Sequence, residues 1–427
     1  MMRLPRLLGL YLLLITTAYA QDPALDEQAR QKGVPVDDLR VFSEVMERIQ
    51  SAYIEEVDDK TLLRNAIRGM LHELDPHSAY LTPDRFKDLE ASTSGEFGGL
   101  GIEVTTEEGF IKVVSPLDQT PASKAGIQAG DLILRLNDKM TKELTLSEAV
   151  DMMRGEPGSE ITLSVLSEGE QQPREITLQR AIISIESVRS RMVQPGYGYV
   201  RITQFQNNTG EDARKALEQM KSEGLNGLVL DLRNNPGGVL GSAIEVADLV
   251  LDDGLIVYTE GRAQKSRSNH TAEAGDLIKD VPIVVLVNAG SASASEIVAG
   301  ALQDHERAII LGQRSFGKGS VQTVLPLHDD RALKLTTARY YTPDGRSIQA
   351  EGIKPDIEVG VDSVELRQGG DGVREADLPR HLRNPGAQDE SDTSDEDKTP
   401  LASRDYALYQ ALSILKGIHL SRGGHKQ

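Results

Sequence analysis

Three alternate serines, Ser291, Ser293 and Ser295, lie in the small-residue run Asn288-Ala289-Gly290-Ser291-Ala292-Ser293-Ala294-Ser295-Glu296, and a lysine follows in Gly317-Lys318-Gly319. A serine flanked by small residues, where an apolar run meets a helix, suits an exposed nucleophile at a strand-to-helix corner: the backbone can bend sharply and a second chain can approach closely. Ser293 is the centre of the run. The same residues also suit an ordinary helix start with Ser291 or Ser293 as N-cap, so the local pattern leaves both readings open.

A serine nucleophile needs a base, and histidine is the usual one. His305 lies about three turns along the exit helix from Ser293, out of hydrogen-bond reach. Lys318 is the alternative, provided its amine is neutral; bringing a lysine from about 10.4 down toward neutrality costs about 4 kcal/mol, which burial supplies. Lys318 also ends Gly312-Gln313-Arg314-Ser315-Phe316-Gly317-Lys318, nearly a phosphate-binding loop. Gly319 stands where that loop needs Ser or Thr for magnesium, and Ser320 to Val324 is strand-like where it needs a helix, so nucleotide binding is rejected. A second glycine corner, Gly237-Gly238, lies between a strand and a helix and offers free N–H groups that suit a phosphate or an oxyanion equally.

These residues require elements to carry them. Val281 to Val287 reads as the strand that enters the serine corner and Glu296 to Gln303 as the helix that leaves it. Gly198 to Ile202, Gly227 to Leu232 and Ala308 to Gly312 read as further strands, with helices over 210–222 and 240–251, so the region from Ile182 has the alternation of an α/β core. Ser320 to Leu325 and Leu333 to Tyr341 are strand-like, and Asp356 to Val361 is the last strand. Val36 to Leu71 has apolar residues at helical spacing, which predicts two or three amphipathic helices facing the main domain or a second subunit. Asp75-Pro76-His77-Ser78 breaks that pattern, His77 reading as a turn or packing residue, and a short helix follows near Pro83 to Leu89. From Asp405 to Ile418 the helical spacing returns as a docked helix or an oligomer contact.

Between Gly95 and about Arg180 the texture is short strands and turns around one helix, Leu146 to Arg154. Gly98-Gly99-Leu100-Gly101-Ile102 runs into an alternating strand, followed by Pro121 to Ile127, Asp131 to Asn137 and Glu160 to Leu166. In their order these segments closely resemble a PDZ domain of the circularly permuted bacterial type. The N–H groups of Leu100, Gly101 and Ile102 can converge on one carboxylate while the strand after them accepts a peptide, which makes a reader of free C-termini.

Composition narrows the classes. The 427 residues carry a formal charge of −19, which argues against nucleic acid, because binding phosphates needs clustered Lys and Arg. There is no cysteine, so no disulfide framework, thiol nucleophile or thiolate metal site. The histidines are scattered without ligand spacing, so neither a metal nor a cofactor is expected. Arg3 and Arg6, the apolar Leu7 to Ile15 and Ala18-Tyr19-Ala20 read as a cleaved export signal, and no other stretch is apolar enough to span a membrane. Gln368 to Pro400 is acidic, polar and poor in apolar residues, which predicts disorder.

Asp231-Leu232-Arg233-Asn234-Asn235-Pro236-Gly237-Gly238, Ser291 to Gly300, Gly317 to Gln322 and Leu333 to Gln349, taken together, resemble the carboxy-terminal processing proteases, PDZ-containing serine peptidases of the S41 type, over about Leu39 to Val361. The resemblance implies Ser293 as nucleophile, Lys318 as general base, Gln322 orienting the amine, and an oxyanion hole from the N–H of Ala294 with that of Gly237 or Gly238. It implies an α/β protease core of ClpP/crotonase-like form with an inserted PDZ domain and helical N- and C-terminal segments. The expected divisions are a signal peptide at 1–20, a helical region at 21–94, the PDZ domain at 95–180, the protease core at 181–366, an acidic disordered segment at 367–400 and a C-terminal helix at 401–427. The expected protein is an exported, periplasmic endopeptidase acting on substrates with exposed C-termini. It is gated by a PDZ domain that blocks the site until substrate or an adaptor moves it, and it assembles as a homo-oligomer. The rival class is a non-catalytic PDZ scaffold or peptide-binding chaperone with the enzyme's shape.

Overall fold

A computed structural model describes residues 35–262, 266–360 and 401–423. The expected signal peptide and the acidic segment at 367–400 lie outside the described residues. The chain falls into two compact units, Met1–Glu73 and Leu74–Gln427. In the first, α1 (Val36–Ala52) and α2 (Asp59–His72) are separate helices, the second capped by Asp58, whose side chain accepts from the Thr61 N–H at 2.9 Å. No residue of α1 is buried in the single chain: Val36, Leu39, Val41 and Val45 all stand exposed.

The second unit opens with β1 (Ala79–Leu81) and α3 (Pro83–Ser94), five residues longer than Pro83 to Leu89. Pro83 fits the first helical turn, and Gly95, at φ 77°, closes the helix in the left-handed region. A short strand, β2 (Glu96–Gly99), leads into a six-stranded antiparallel sheet. Its members are β3 (Ile102–Glu107), β4 (Phe110–Pro116), β5 (Leu132–Leu136) after the single turn α4 (Pro121–Lys124), β6 (Lys139–Met140), β7 (Glu160–Leu166) and β8 (Arg174–Gln179), with α5 (Leu146–Met153) between β6 and β7. Thr145 and Glu148 start α5 with a reciprocal capping box. Ile111, Ile133, Leu136, Leu163 and Val165 centre the core of this module. Among the described residues β3 pairs only with β4, which leaves its other edge open. The return strand β9 (Ala181–Ser184) pairs with β2, so the module hangs from a two-stranded ribbon.

β10 (Val188–Gln194) and β11 (Tyr197–Ile202) begin the α/β part, followed by α6 (Thr209–Ser222), β12 (Gly227–Asp231), α7 (Leu240–Asp248), β13 (Leu255–Gly261), β14 (Ser268–Thr271), β15 (Ile283–Val287), α8 (Ala294–Asp304) and β16 (Ala308–Gly312). β17 (Ser320–Pro326) and β18 (Ala332–Tyr341) form a hairpin, and β19 (Ile357–Glu358), α9 (Leu401–Arg404) and α10 (Tyr406–Ser421) complete the described chain. The main sheet has the order β10-β11-β12-β15-β16-β19, parallel from β11 onward. Every residue of β12 and β15 is buried, because both faces of this sheet are covered. Leu228, Leu230, Ile283 and Val285 belong to the core shared with α6, α7 and α8, whereas Val229, Val284 and Leu286 meet Leu408, Ala411, Leu412 and Leu415 of α10. A second, antiparallel sheet runs β1-β18-β13-β14, with β17 on the free side of β18. β13 and β14 lie where the sequence pattern predicts no strand.

Candidate active site

The serine corner is stitched to the loop after β12. Ser291 Oγ donates to Leu232 O at 2.8 Å and Ser295 Oγ to Asn235 O at 3.0 Å, and both residues are fully buried. Asn288 adds two bonds to Asn234, from its side-chain amide to Asn234 Oδ1 and from the Asn234 N–H to its own Oδ1, each 2.9 Å. Two of the three serines therefore hold the corner together. Ser293 occupies the N-cap position of α8, so the helix-start reading has the place right, but its backbone lies at φ 55°, ψ −112°. An N-cap residue ordinarily has extended backbone, and this departure costs about 1–3 kcal/mol, the kind of strain that sharp nucleophile turns carry. Its side chain lines a cleft of about 370 Å³.

Glu296, one turn into α8, is the hub of the site. Its buried carboxylate accepts from the N–H groups of Ser293 (2.7 Å) and Lys318 (2.9 Å) on Oε2, and from the Gly317 N–H (2.7 Å) and Ser315 Oγ (2.5 Å) on Oε1. Phe316 N–H donates to Ser291 O at 3.0 Å, a further tie between the lysine loop and the serine corner. Lys318 lines the same cleft half-buried; burial lowers its pKa, the positive charge of Lys334 lowers it further, and Glu296 opposes them. No helix follows Lys318, since β17 starts at Ser320.

Gln322 also lines the cleft, on β17, with its amide donating to Ser320 Oγ at 2.9 Å and Thr336 Oγ1 at 3.4 Å; no hydrogen bond joins it to Lys318 in this conformation. Gly237, at φ 101°, sits against Ser293, where an added Cβ would come within 2.7 Å of the Ser293 Cβ. Its N–H donates to Asn235 Oδ1 at 2.9 Å. The N–H groups of Gly238 and Ala294 have no acceptor among the described residues, which leaves these two available for an oxyanion. His305 is engaged elsewhere, with Nε2 2.7 Å from Leu255 O.

Four contributors escaped the sequence reading. Glu296 was only the end of the serine run. Lys334 and Tyr340 come from β18, which was read as a strand without a site role. Tyr340 is almost fully buried facing Ser293, and that burial pushes its phenol pKa up. His77 sits where its ring feels Lys318 and Lys334: desolvation and both cations lower its pKa, against Asp75. Asp75 builds that turn by accepting from the His77 and Ser78 N–H groups, both at 2.8 Å, and from Ser78 Oγ at 2.6 Å. Burial alone would raise the Asp75 carboxyl, but these bonds hold it at about 2. Only the Asx-turn pattern of Asp75-Pro76-His77-Ser78 hinted at structure here.

The cleft is lined from α3 by Leu89, Ser92 and Thr93, and by no residue of the module between β3 and β8. That module reaches the site indirectly: Arg154, just after α5, bonds Asp88 Oδ1 of α3 at 2.9 Å. On this side it is α3 that walls the cleft. At the other end, Leu100 and Gly101 are buried and Ile102 is half-buried beside the open edge of β3, with Gly101 at φ 74° and the N–H groups of Leu100 and Gly101 free of backbone acceptors among the described residues.

An α/β core with a serine corner, carrying a β-rich module with an open strand edge, defines a serine peptidase with a PDZ domain. Family models match in those positions: peptidase family S41 over residues 196–359, a PDZ domain over 98–178, and the activating protease CtpB N-terminal domain over 10–84. The chain belongs to peptidase family S41, among the carboxy-terminal-processing proteases. It is 48% identical to a carboxy-terminal-processing protease of Bartonella bacilliformis, over 89% of this chain and 88% of that protein. It is 41% identical to a carboxyl-terminal-processing protease of Synechocystis sp., over 68% and 69%. Among solved structures, the photosystem II D1 C-terminal processing protease is 35% identical, covering 73% of this chain and 85% of that one with a TM-score of 0.45.

Proposed function

We propose that this peptidase is exported and periplasmic, reads the free C-terminus of a protein with its PDZ domain, and cleaves nearby through a Ser293–Lys318 pair. The observation that carries the pair is Glu296 Oε2, which accepts from the backbone N–H of both residues and so fixes nucleophile and base to one atom. The neutral Lys318 amine takes the Ser293 proton as Oγ attacks the scissile carbonyl carbon. The oxyanion accepts from the N–H groups of Ala294 and Gly238, each such donor contributing about 3 kcal/mol in the transition state. The Lys318 ammonium then protonates the leaving amine, and a water activated by the same lysine hydrolyses the ester. Gln322 orients the amine only after turning from Ser320, and Gly237 serves by fitting closely against Ser293.

The terminal carboxylate of the substrate is held by the N–H groups of Leu100, Gly101 and Ile102, with the peptide added along the open edge of β3. The expected domain divisions and the ClpP/crotonase-like form belong to the same reading. Assembly into a homo-oligomer through the helical ends and gating by the PDZ domain until substrate or an adaptor moves it belong to the same proposal. A loosely folded substrate with a free C-terminus, incubated with wild type, Ser293→Ala and Lys318→Ala, tests it. Cleavage by wild type alone is expected; cleavage that persists in either variant removes the pair, and peptide binding without any turnover returns the scaffold reading.

A further inference from the structure

The sequence has 66 acidic residues against 47 basic ones, yet the described residues that line the cleft include Lys318 and Lys334 and no Asp or Glu. Lys334 is placed there by β-sheet register: it lies opposite Val324 of β17 on one side and Ala79 of β1 on the other. It is partly buried, and its ammonium makes no ion pair or hydrogen bond with the described residues. Lys318 and His77 both feel its charge, and Asp75 is engaged by its own turn. A cation held partly out of water without a counter-ion is unfavourable until a ligand supplies the opposite charge. With no Asp or Glu among the described residues that line the cleft, that ligand comes with the substrate.

We propose that Lys334 is a carboxylate-binding subsite of the cleft, taking an acidic side chain or the free C-terminal carboxylate of the bound peptide a few residues from the scissile bond. This rests on the peptidase reading of the cleft. The distance follows from the strand: Lys334 stands opposite Val324, four residues along β17 from Ser320, so at about 3.3 Å per residue the backbone separation is on the order of 13 Å, and the long side chains bring the two lysines close enough for the charge of Lys334 to act on Lys318. An extended peptide covers that with roughly three to five residues. Lys334 therefore selects sequence at one distance from the cut, whereas the PDZ domain selects only the terminus.

The test uses the full-length mature protein and neutral peptides in which one glutamate is placed at each position in turn, every peptide made with a free and with an amidated C-terminus. The readout is the ratio of kcat/KM for each carboxylate-bearing peptide to that of its neutral counterpart, which a general loss of activity does not move. In wild type one position, or the free terminus, is expected to gain about tenfold, mostly through KM. Lys334→Met takes that ratio to about one, Lys334→Arg keeps it, and Lys334→Glu turns the preference toward a lysine at the same position. A gain that follows the glutamate assigns the subsite to a side chain; a gain that follows the free terminus and vanishes in Lys334→Met assigns it to the terminal carboxylate. Any acid–amide difference that survives in Lys334→Met belongs to the PDZ domain. Ratios identical in wild type and Lys334→Met for every peptide overturn the subsite and leave the peptidase standing. Failure of wild type to cleave any peptide overturns the peptidase reading beneath it.

Discussion

The backbone N–H groups of Ser293 and Lys318 meet on a single atom, Glu296 Oε2, at 2.7 and 2.9 Å. Residues from two loops are thereby set in register by a carboxylate that belongs to neither the attack nor the proton transfer.

Glu296→Gln is expected to damage both function and fold. An amide presents one acceptor and one donor where four donors converge, so at least one buried N–H or hydroxyl loses its partner, at about 1–3 kcal/mol. Misplacing the pair by a fraction of an ångström to an ångström lowers turnover by about 100-fold. Peptide kinetics and denaturant unfolding of the variant measure the two effects; wild-type kinetics with normal stability would remove Glu296 from the account.

The pH dependence has a defined sign. In the proposed mechanism Lys318 acts as base only when neutral, and its pKa lies below the ordinary lysine value because of burial and the charge of Lys334. Activity therefore rises with pH through the Lys318 ionisation and levels off before the ordinary lysine range. Lys334→Met removes one depressing charge, so the rising limb moves to higher pH. A limb that moved to lower pH, or stayed in place, would contradict the electrostatic link between the two lysines.

Lys318 also sets a conflict between activity and stability. Its folded-state pKa lies below the unfolded value of about 10.5, so between these two values the unfolded chain binds the extra proton and stability rises with pH. Below the folded pKa the cost of burying the cation is felt in full. Lys318→Met is therefore expected to be inactive but more stable than wild type at neutral pH, with the advantage shrinking as pH approaches 10.5. Thermal unfolding of both proteins across that range is the check, and a variant less stable than wild type at neutral pH would count against the assignment.

Much of this site was legible because its signals are local. The apolar runs before Ser293 and before Gly237 mark buried parallel strands, and paired glycines and alternate small residues mark their turns, so Ser293 and Lys318 were candidates from sequence alone. Of the two glycines left open, only Gly238 keeps a free N–H, a distinction that depends on the rotamer of Asn235. Lys334, Tyr340 and His77 are not legible, because each acts through a neighbour that only tertiary pairing supplies: β1 reaches Lys334 across sheet register, and Tyr340 meets Ser293 from the far end of a hairpin. Glu296 stands at capping-box spacing from Ser293, a local signal, but its bonds to Ser315, Gly317 and Lys318 come only with the fold. Strands β13 and β14 were missed since they form an antiparallel annex that interrupts the α/β alternation. The helix α10 was expected to dock or to mediate contacts between subunits, and its Leu408, Ala411, Leu412 and Leu415 stripe covers one face of the main sheet.

That docking has its own anchor. Arg233, at the start of the loop that carries Gly237 and Gly238, bonds buried Asp231 at 2.6 Å and Asp405, the N-cap of α10, at 2.7 Å. Arg233→Ala leaves Asp231 with Arg201, the Tyr199 hydroxyl and the backbone N–H of residue 233, and is expected to cost about 3 kcal/mol, with activity falling as the glycine corner loosens. Asp405→Ala loses a partly exposed pair and a helix cap and costs about 1 kcal/mol. The double variant should be less destabilised than the sum of the two, and strict additivity in unfolding experiments would exclude the coupling.

The central claim is that Ser293 becomes covalently acylated with help from Lys318. Labelling the mature protein with a fluorophosphonate and locating the adduct by peptide mass mapping tests it directly. One adduct is expected, on Ser293, formed faster as pH rises and almost abolished in Lys318→Ala; an adduct on Ser291 or Ser295, or undiminished labelling of Ser293 without Lys318, would rule the pair out.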